Sequence, residues 1–460
     1  MSTAKQHATS IVKTLRERGY QAYFNGGCVR DLLLDREPAD YDVATDATPQ
    51  QVMQIFPETY AVGAQFGVVL VPPPQISDKA TEERAAGVAA RPHQDLDNVI
   101  EVATFRSDIG YSDGRHPDEV RFTKDPREDV QRRDFTINGM LYDPLANQVL
   151  DFVGGRADLE AGIIRAIGDP IRRFSEDKLR MPRGVRFAAR FDYQIEPATF
   201  AAMQKLAPQI HQVSQERVRE ELTKMLIEGH AKRAFALLDE TGLLVQVLPE
   251  ISRMKEVEQP PQYHPEGDVF VHTLLLLDKL PAGSSKTLAW GALLHDVGKP
   301  PTFRVAPDRI RFDGHVEIGV KMAAEICRRL RFSNDETDQI LALVDNHMRF
   351  GDVFRMKEST LKRFLRLPKF DEHLELHRID SLSSHGLLDA YNYVREQRSA
   401  LPPEAIRPAA LMTGRDLIDA GYEPGPRFRE ILSAIEDAQL EGRVTTHEAA
   451  MAMVAREFPL

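Results

Sequence analysis

Residues 23–46 read YFNGGCVRDLLLDREPADYDVATD, and two glycines followed by two aspartates decide how this half of the chain is read. The apolar run ending at Gly26 and Gly27 predicts a strand, and the run from Val29 predicts a helix. Glycines at that junction let the backbone approach a ligand. The helix then offers free amides and the positive end of its dipole to phosphate. Arg30, one turn in, adds a fixed charge. On the next expected strand Asp40 and Asp42 share a face because side chains alternate, so their carboxylates can share one or two Mg²⁺ ions. Two such ions activate an attacking hydroxyl and neutralise a leaving pyrophosphate. A Gly-Gly turn alone is an ordinary loop, and a lone Asp-x-Asp an ordinary solvated edge. At this spacing they point together to a nucleoside triphosphate site.

A chain of 460 residues exceeds one core, so two to four domains are expected. The net charge of −11 argues against nonspecific coating of nucleic acid and leaves room for a local basic groove. Cys28 and Cys327 are the only cysteines, which excludes a disulfide framework and fits a reducing cytoplasm. The start, MSTAKQHATSIVKTLRERGY, lacks an apolar run, and no stretch approaches the roughly 20 apolar residues of a membrane helix. Neither secretion nor a membrane partner is expected.

Around the opening stretch, residues 1–155 alternate helix and strand, with strands predicted at QAYFN, YDVAT, GVVLVP, VIEVATF and EVRFT. The Pro- and Ala-rich segment between Pro72 and Asn98 has no steady period and reads as an exposed insertion. From about residue 170 the pattern is helical. The fold class is therefore α+β: a head over 1–155, a helical neck and body over 156–255, an all-α domain over 256–400 and a helical tail over 401–460.

A third carboxylate for the metals is Glu101, flanked by Ile100 and Val102 in an apolar strand; the alternative is a plain outward-facing position. RRDFTIN supplies Arg132, Arg133, Asp134 and Asn138, and a carboxylate among arginines near a triphosphate accepts from ribose hydroxyls. In EDKLRMPRGVRFAAR, Asp177 and Arg180 are three apart and lie side by side if helical. Cytosine and adenine each present an amino donor beside a ring-nitrogen acceptor. An accepting aspartate and a donating arginine therefore suit C and A and oppose G and U. Pro182 interrupts this run and predicts a kink there. Basic residues from Arg165 to Arg190, with Lys232 and Arg233, are the expected RNA contacts, unless they only pair with nearby glutamates.

Taken together, GGCVRDLLLDREPADYD, EVATFRSDIGYSDGRHPDEVRF, EDVQRRDFTINGMLYD and SEDKLRMPRGVRFAAR resemble the class II tRNA nucleotidyltransferase and bacterial poly(A) polymerase family over about residues 20–250. The resemblance implies a polymerase-beta-like head with a mixed sheet, and template-independent addition of nucleotides to an RNA 3′ end. It assigns Arg133 to the nucleotide, Asp134 to the ribose, Asp177 and Arg180 to the base, and Arg183 and Arg186 to the nucleotide or its phosphates. Asn138 joins this nucleotide-binding set. CTP and ATP are the implied substrates and tRNA the implied acceptor. Addition of full CCA, of CC only, of the terminal A only, and poly(A) synthesis are the outcomes within the family. The stretch ETYAVGAQFGVVL lies where the family carries a loop needed to switch from C to A, which favours CCA or A addition.

A second cluster follows: His272 in VFVHTLLLL, His295 and Asp296 in GALLHDVGKP, His315 in GHVEIG, His347 in DNHMRF and Asp380 in HRIDSL. This ordered set resembles the HD metal-dependent phosphohydrolase superfamily. Imidazoles with carboxylates suit Mn²⁺, Ni²⁺, Fe²⁺ or Zn²⁺, which generate a hydroxide for attack on phosphate. A hydrolase in which this module is the main activity, and a noncatalytic RNA-binding scaffold, are the readings outside the transferase class.

Overall fold

The strand read before the glycines forms as β1 (Ala22–Asn25), with Ala22 and Phe24 buried. In the computed structural model the described residues are 3–60, 67–73, 99–109, 119–261, 264–265 and 267–460. Most of the 72–98 insertion, and the centre of ETYAVGAQFGVVL, lie outside them. The chain divides into two units, residues 1–221 with 237–247, and residues 222–236 with 248–460.

In the first unit α1 (Thr3–Glu17) buries Ala8, Ile11, Val12 and Leu15, a spacing that gives a helix one apolar face. α2 (Gly27–Leu33) follows β1 directly. β2 (Asp42–Thr45) leads to α3 (Pro49–Ile55), which starts at a Thr48–Gln51 capping box with Pro49 in its first turn. Next come β3 (Val68–Val71), β4 (Ile100–Thr104), the hairpin pair β5 (Arg106–Ile109) and β6 (Glu119–Phe122), and α4 (Pro126–Gln131). β7 (Met140–Asp143) and β8 (Gln148–Asp151) complete a six-stranded mixed sheet of order β3-β4-β2-β1-β7-β8. β2 and β4 run parallel, and their register sets Asp42 against Glu101.

Beyond the sheet this unit is helical, with α5 (Pro170–Glu176), α6 (Arg180–Phe191) and the first half of α7 (Gln215–Ile227). In the second unit the helices that build a site are α8 (Val269–Lys279), α9 (Lys286–Leu294), α10 (His315–Arg329), α11 (Asn334–Asn346) and α12 (Phe370–Ser383). The segment 222–236 packs with them: Trp290 Nε1 donates to Thr223 Oγ1 at 2.9 Å, and the Gly283 amide to the Ile227 carbonyl at 2.8 Å. The tail, with α13 (Pro426–Leu440) and α14 (His447–Glu457), builds a small core from Leu417, Ile431, Ile435 and Val454. Arg363 ties it down by donating to Glu436 and Asp437. No described helix is long and apolar enough to cross a membrane.

Three expectations are corrected. Asp40 lies in the bend before β2, exposed, because β2 begins only at Asp42. Asp177 and Arg180 do not share a helix. α5 ends at Glu176, Asp177 takes an extended conformation (φ −144°, ψ 109°), and Arg180 opens α6. Pro182 therefore falls in the first turn of α6, where its missing amide is not needed; the i to i−4 bond from Arg183 to Leu179 follows it directly.

Candidate active site and metal centre

The end of β1, the start of α2, the start of β2 and the face of α6 enclose a cleft of about 480 Å³ in the first unit. Seven arginines line it (Arg30, Arg132, Arg133, Arg180, Arg183, Arg186 and Arg190) against three aspartates, Asp42, Asp134 and Asp177. Such a cleft is built for a polyanion. Gly26 has φ +71°, a backbone conformation that favours glycine, and sits beside Arg133 and Asp42. Gly27 and Asn138 also line the cleft.

Six of the seven arginines are paired with a carboxylate, and Arg190 lies over the Phe191 ring. Arg30 is buried, donates to Asp31 and to Asn138 Oδ1 at 2.8 Å, and lies over the Phe191 ring. Asn138 donates to Asp134, which accepts from Arg183 at 2.8 and 3.1 Å. Burial opposes ionisation of Asp134, yet Arg183 holds its pKa down at about 2. Arg186 donates to Glu221 at 2.7 Å. Arg180 donates to Glu176 at 2.9 Å and to the carbonyls of Arg173 and Arg132 at 3.0 Å. Asp177 is held by Arg217 at 3.0 Å.

Asp42 borders a second hollow with Glu101, Arg106, Arg132 and Arg133. Burial first, and then the charges of Glu101 and Asp40, push the Asp42 carboxyl up to about 7, with Arg133 pulling the other way. Burial likewise raises Glu101. Crowded carboxylates that resist ionisation are a donor set fitted to a cation, which removes their mutual repulsion. The orienting group for the arginines is Asp129. Its Oδ1 accepts from Arg132, and its Oδ2 from Arg133 at 2.8 Å; despite burial, Arg133 and Arg132 hold its pKa down at about 2.

In the second unit a cavity of about 440 Å³ is lined by Asp296, His315, His347 and Asp380. Two groups of three donors have their ligand atoms within 4.8 Å of one another: His272, His295 and Asp380, and Asp296, His315 and His347. The ring Nδ1 atoms of His295, His315 and His347 sit 2.9, 2.9 and 2.7 Å from the carbonyls of Ala292, Phe312 and Val344. Those bonds fix the tautomer, leaving each Nε2 as a lone-pair donor. The same three Nε2 atoms are buried and face the Asp296 carboxylate, at 3.1 Å from His295, 4.0 Å from His315 and 3.8 Å from His347, as expected of ligands to one metal. His347 is pushed down to about 4 by burial and by His295, so it is neutral at pH 7, the form a metal ligand needs. Gly298 brings the turn after Asp296 against α10: a side chain there would lie 2.0 Å from the His315 carbonyl oxygen. Lys299, itself buried, donates to Asp296 at 2.7 Å.

Six residues that orient these sites have no role assigned from the sequence: Asp129, Glu176, Arg217, Glu221, Gly298 and Lys299. Asp129 lies three and four residues before its arginines and Lys299 three after Asp296, spacings a helix would reveal. Arg217 and Glu221 lie 40 and 35 residues from their partners, and local pattern cannot reveal them. Of the expected RNA-contacting arginines, Arg165 pairs with Asp158, and Arg172 and Arg173 with Glu176, which favours the pairing alternative for these three.

Comparison with known proteins agrees. Residues 22–165 match the poly A polymerase head domain, 192–255 the probable RNA and SrmB-binding site of polymerase A, and 268–383 the HD domain. A CCA-adding enzyme of Geobacillus sp. (strain WCH70) is 32% identical over 447 residues, covering 96% of this chain and 94% of the relative. One from Limosilactobacillus fermentum is 35% identical over 452 residues, covering 98% and 96%. The crystal structure of Bacillus stearothermophilus CCA-adding enzyme in complex with CTP superposes with a TM-score of 0.73 at 26% identity, covering 99% of this chain and 98% of that one. With its polymerase-type head, arginine-lined cleft and HD domain, the chain belongs to the CCA-adding enzyme family of nucleotidyltransferases.

Proposed function

We propose that this protein builds or repairs the CCA end of tRNA, using CTP and ATP, and that the work is divided as the sequence divides it. Residues 1–155 carry the chemistry, 156–255 base selection and RNA binding, 256–400 a phosphohydrolase and 401–460 a helical tail. The observation that carries the reading is one cleft in which Asp42, Asp177 and seven arginines, Arg180 among them, meet. A triphosphate lies among Arg30, Arg133, Arg183 and Arg186. The base edge faces Asp177 and Arg180, and Asp134 and Asn138 serve the ribose. Asp42, with Asp40 and Glu101, would hold Mg²⁺, which supplies charge neutralisation at the α-phosphate and at pyrophosphate. Asp129 keeps Arg132 and Arg133 aimed at the cleft, so the acceptor 3′-hydroxyl meets a positioned phosphate. The pair of buried cysteines, both reduced, fits a cytoplasmic setting.

For the HD half we propose hydrolysis of phosphate esters, such as a 2′,3′-cyclic phosphate at a damaged RNA end. The buried Nε2 atoms support this reading. His272, His295, Asp296, His315, His347 and Asp380 would hold a transition metal, Mn²⁺, Ni²⁺, Fe²⁺ or Zn²⁺, which supplies a nucleophilic hydroxide. Lys299 neutralises Asp296 from the side.

Purified protein incubated with tRNA lacking its last three, two or one nucleotides, with CTP, ATP or both, tests the first proposal at single-nucleotide resolution. Extension only of tRNA ending in CC, by one A, would sink the CCA reading. Asp40→Ala is expected to abolish addition and spare hydrolysis of 2′,3′-cyclic AMP. His295→Ala is expected to do the reverse.

A further inference from the structure

Arg217 lies outside every motif singled out in the sequence, and outside the residues lining the cleft, yet it holds the aspartate that faces the base. From α7 its Nη2 donates to Asp177 Oδ2 at 3.0 Å and its Nη1 to Oδ1 at 3.5 Å. Oδ1 also accepts the Leu179 amide at 3.0 Å. Because Asp177 sits in the break between α5 and α6, no helical hydrogen-bond ladder runs through it to fix its direction. The fork of a guanidinium does so instead, since two contacts to one carboxylate set its plane as well as its distance. The other base reader, Arg180, is held separately by Glu176 and two carbonyls.

We propose that Arg217 is a specificity-determining positioning residue, which fixes the plane of the Asp177 carboxylate so that it accepts only from an amino group set as in cytosine or adenine. This rests on the reading of Asp177 as a base contact. A carboxylate fixed in plane repels the carbonyl that uracil and guanine place in that position. One free to turn accommodates the wrong edge by rotating away or admitting water between them. A neutral residue at 217 therefore weakens discrimination more than it weakens chemistry. Lysine, with one point charge and no fork, restores the charge but not the plane.

The test uses the full chain in single-turnover extension of tRNA lacking its CCA end, with each of the four nucleoside triphosphates, comparing Arg217→Met, Arg217→Lys and Asp177→Ala. Arg217→Met is expected to lower the preference for CTP over UTP about tenfold or more, with Arg217→Lys intermediate. A uniform loss for all four nucleotides, or an unchanged preference in both Arg217 variants, overturns the proposal; thermal melting separates unfolding from misreading, and Arg217→Lys carries the test if Arg217→Met does not fold. If Asp177→Ala keeps its preference, the reading of Asp177 itself fails. If Asp177→Ala loses it while both Arg217 variants keep it, only the role of Arg217 falls.

Discussion

A single methyl group at residue 298 would have to occupy the space of a backbone carbonyl oxygen on α10. Gly298→Ala is therefore expected to push His315 out of line with Asp296 and cut the metal content of the HD site, while nucleotide addition continues. Elemental analysis after dialysis checks this, and full metal occupancy would refute it. The buried carboxylates of the head make a second prediction. Asp129 and Asp134 have pKa values of about 2 in the folded protein, against about 3.9 unfolded. Each thus contributes on the order of 2 kcal/mol that is fully present above about pH 5 and lost as pH falls through about 2. Urea melts of wild type and Asp129→Asn at pH 6, 4 and 3 should converge as pH falls; a constant gap would contradict the assignment. The place of Asp42 and Asp134 in the cleft was legible in the sequence, because Asp42 closes an Asp-x-Asp pair and Asp134 follows an arginine pair, both local patterns. Arg217 was not, because its partner is 40 residues away.

Helix boundaries decide what Pro182 and Asp177 do. A proline three residues into α6 removes no needed hydrogen bond, so Pro182→Ala should change stability by less than about 1 kcal/mol and leave nucleotide choice intact. Val185→Pro, one turn later in the same helix, should cost about 3 kcal/mol or more. Thermal melts of both variants decide it, and similar losses would mean that α6 starts earlier. The sheet was read correctly at β1 to β4, whose runs are rich in β-branched and aromatic residues. β7 and β8 were missed because MLYD and QVLD carry a single β-branched residue between them, Val149. The candidate HD ligands were legible because His-Asp at the end of α9, and lone histidines within or at the ends of other helices, interrupt apolar periodicity. The break at Asp177 was not, because it depends on where α5 stops, and Arg and Glu on both sides favour a continuous helix.

At the scale of the chain, a net charge of −11 coexists with a cleft lined by seven arginines, so binding of nucleotide and RNA is set by local field rather than by total charge. RNA affinity is expected to fall linearly on a log-log plot against salt. Filter binding between 50 and 200 mM salt measures the slope, and a flat line would remove phosphate contacts from the account. Leu222–Ala236 packs with the C-terminal unit, whereas 237–247 belongs to the N-terminal one. A truncation after Val247 should leave Leu222, Met225, Leu226 and Phe235 stripped of their cover and aggregate on size exclusion; a monodisperse product would refute this. The chain thus passes from one unit to the other three times before residue 250. No single cut of the chain therefore separates the two units, so isolating either one takes a rejoined chain rather than a truncation.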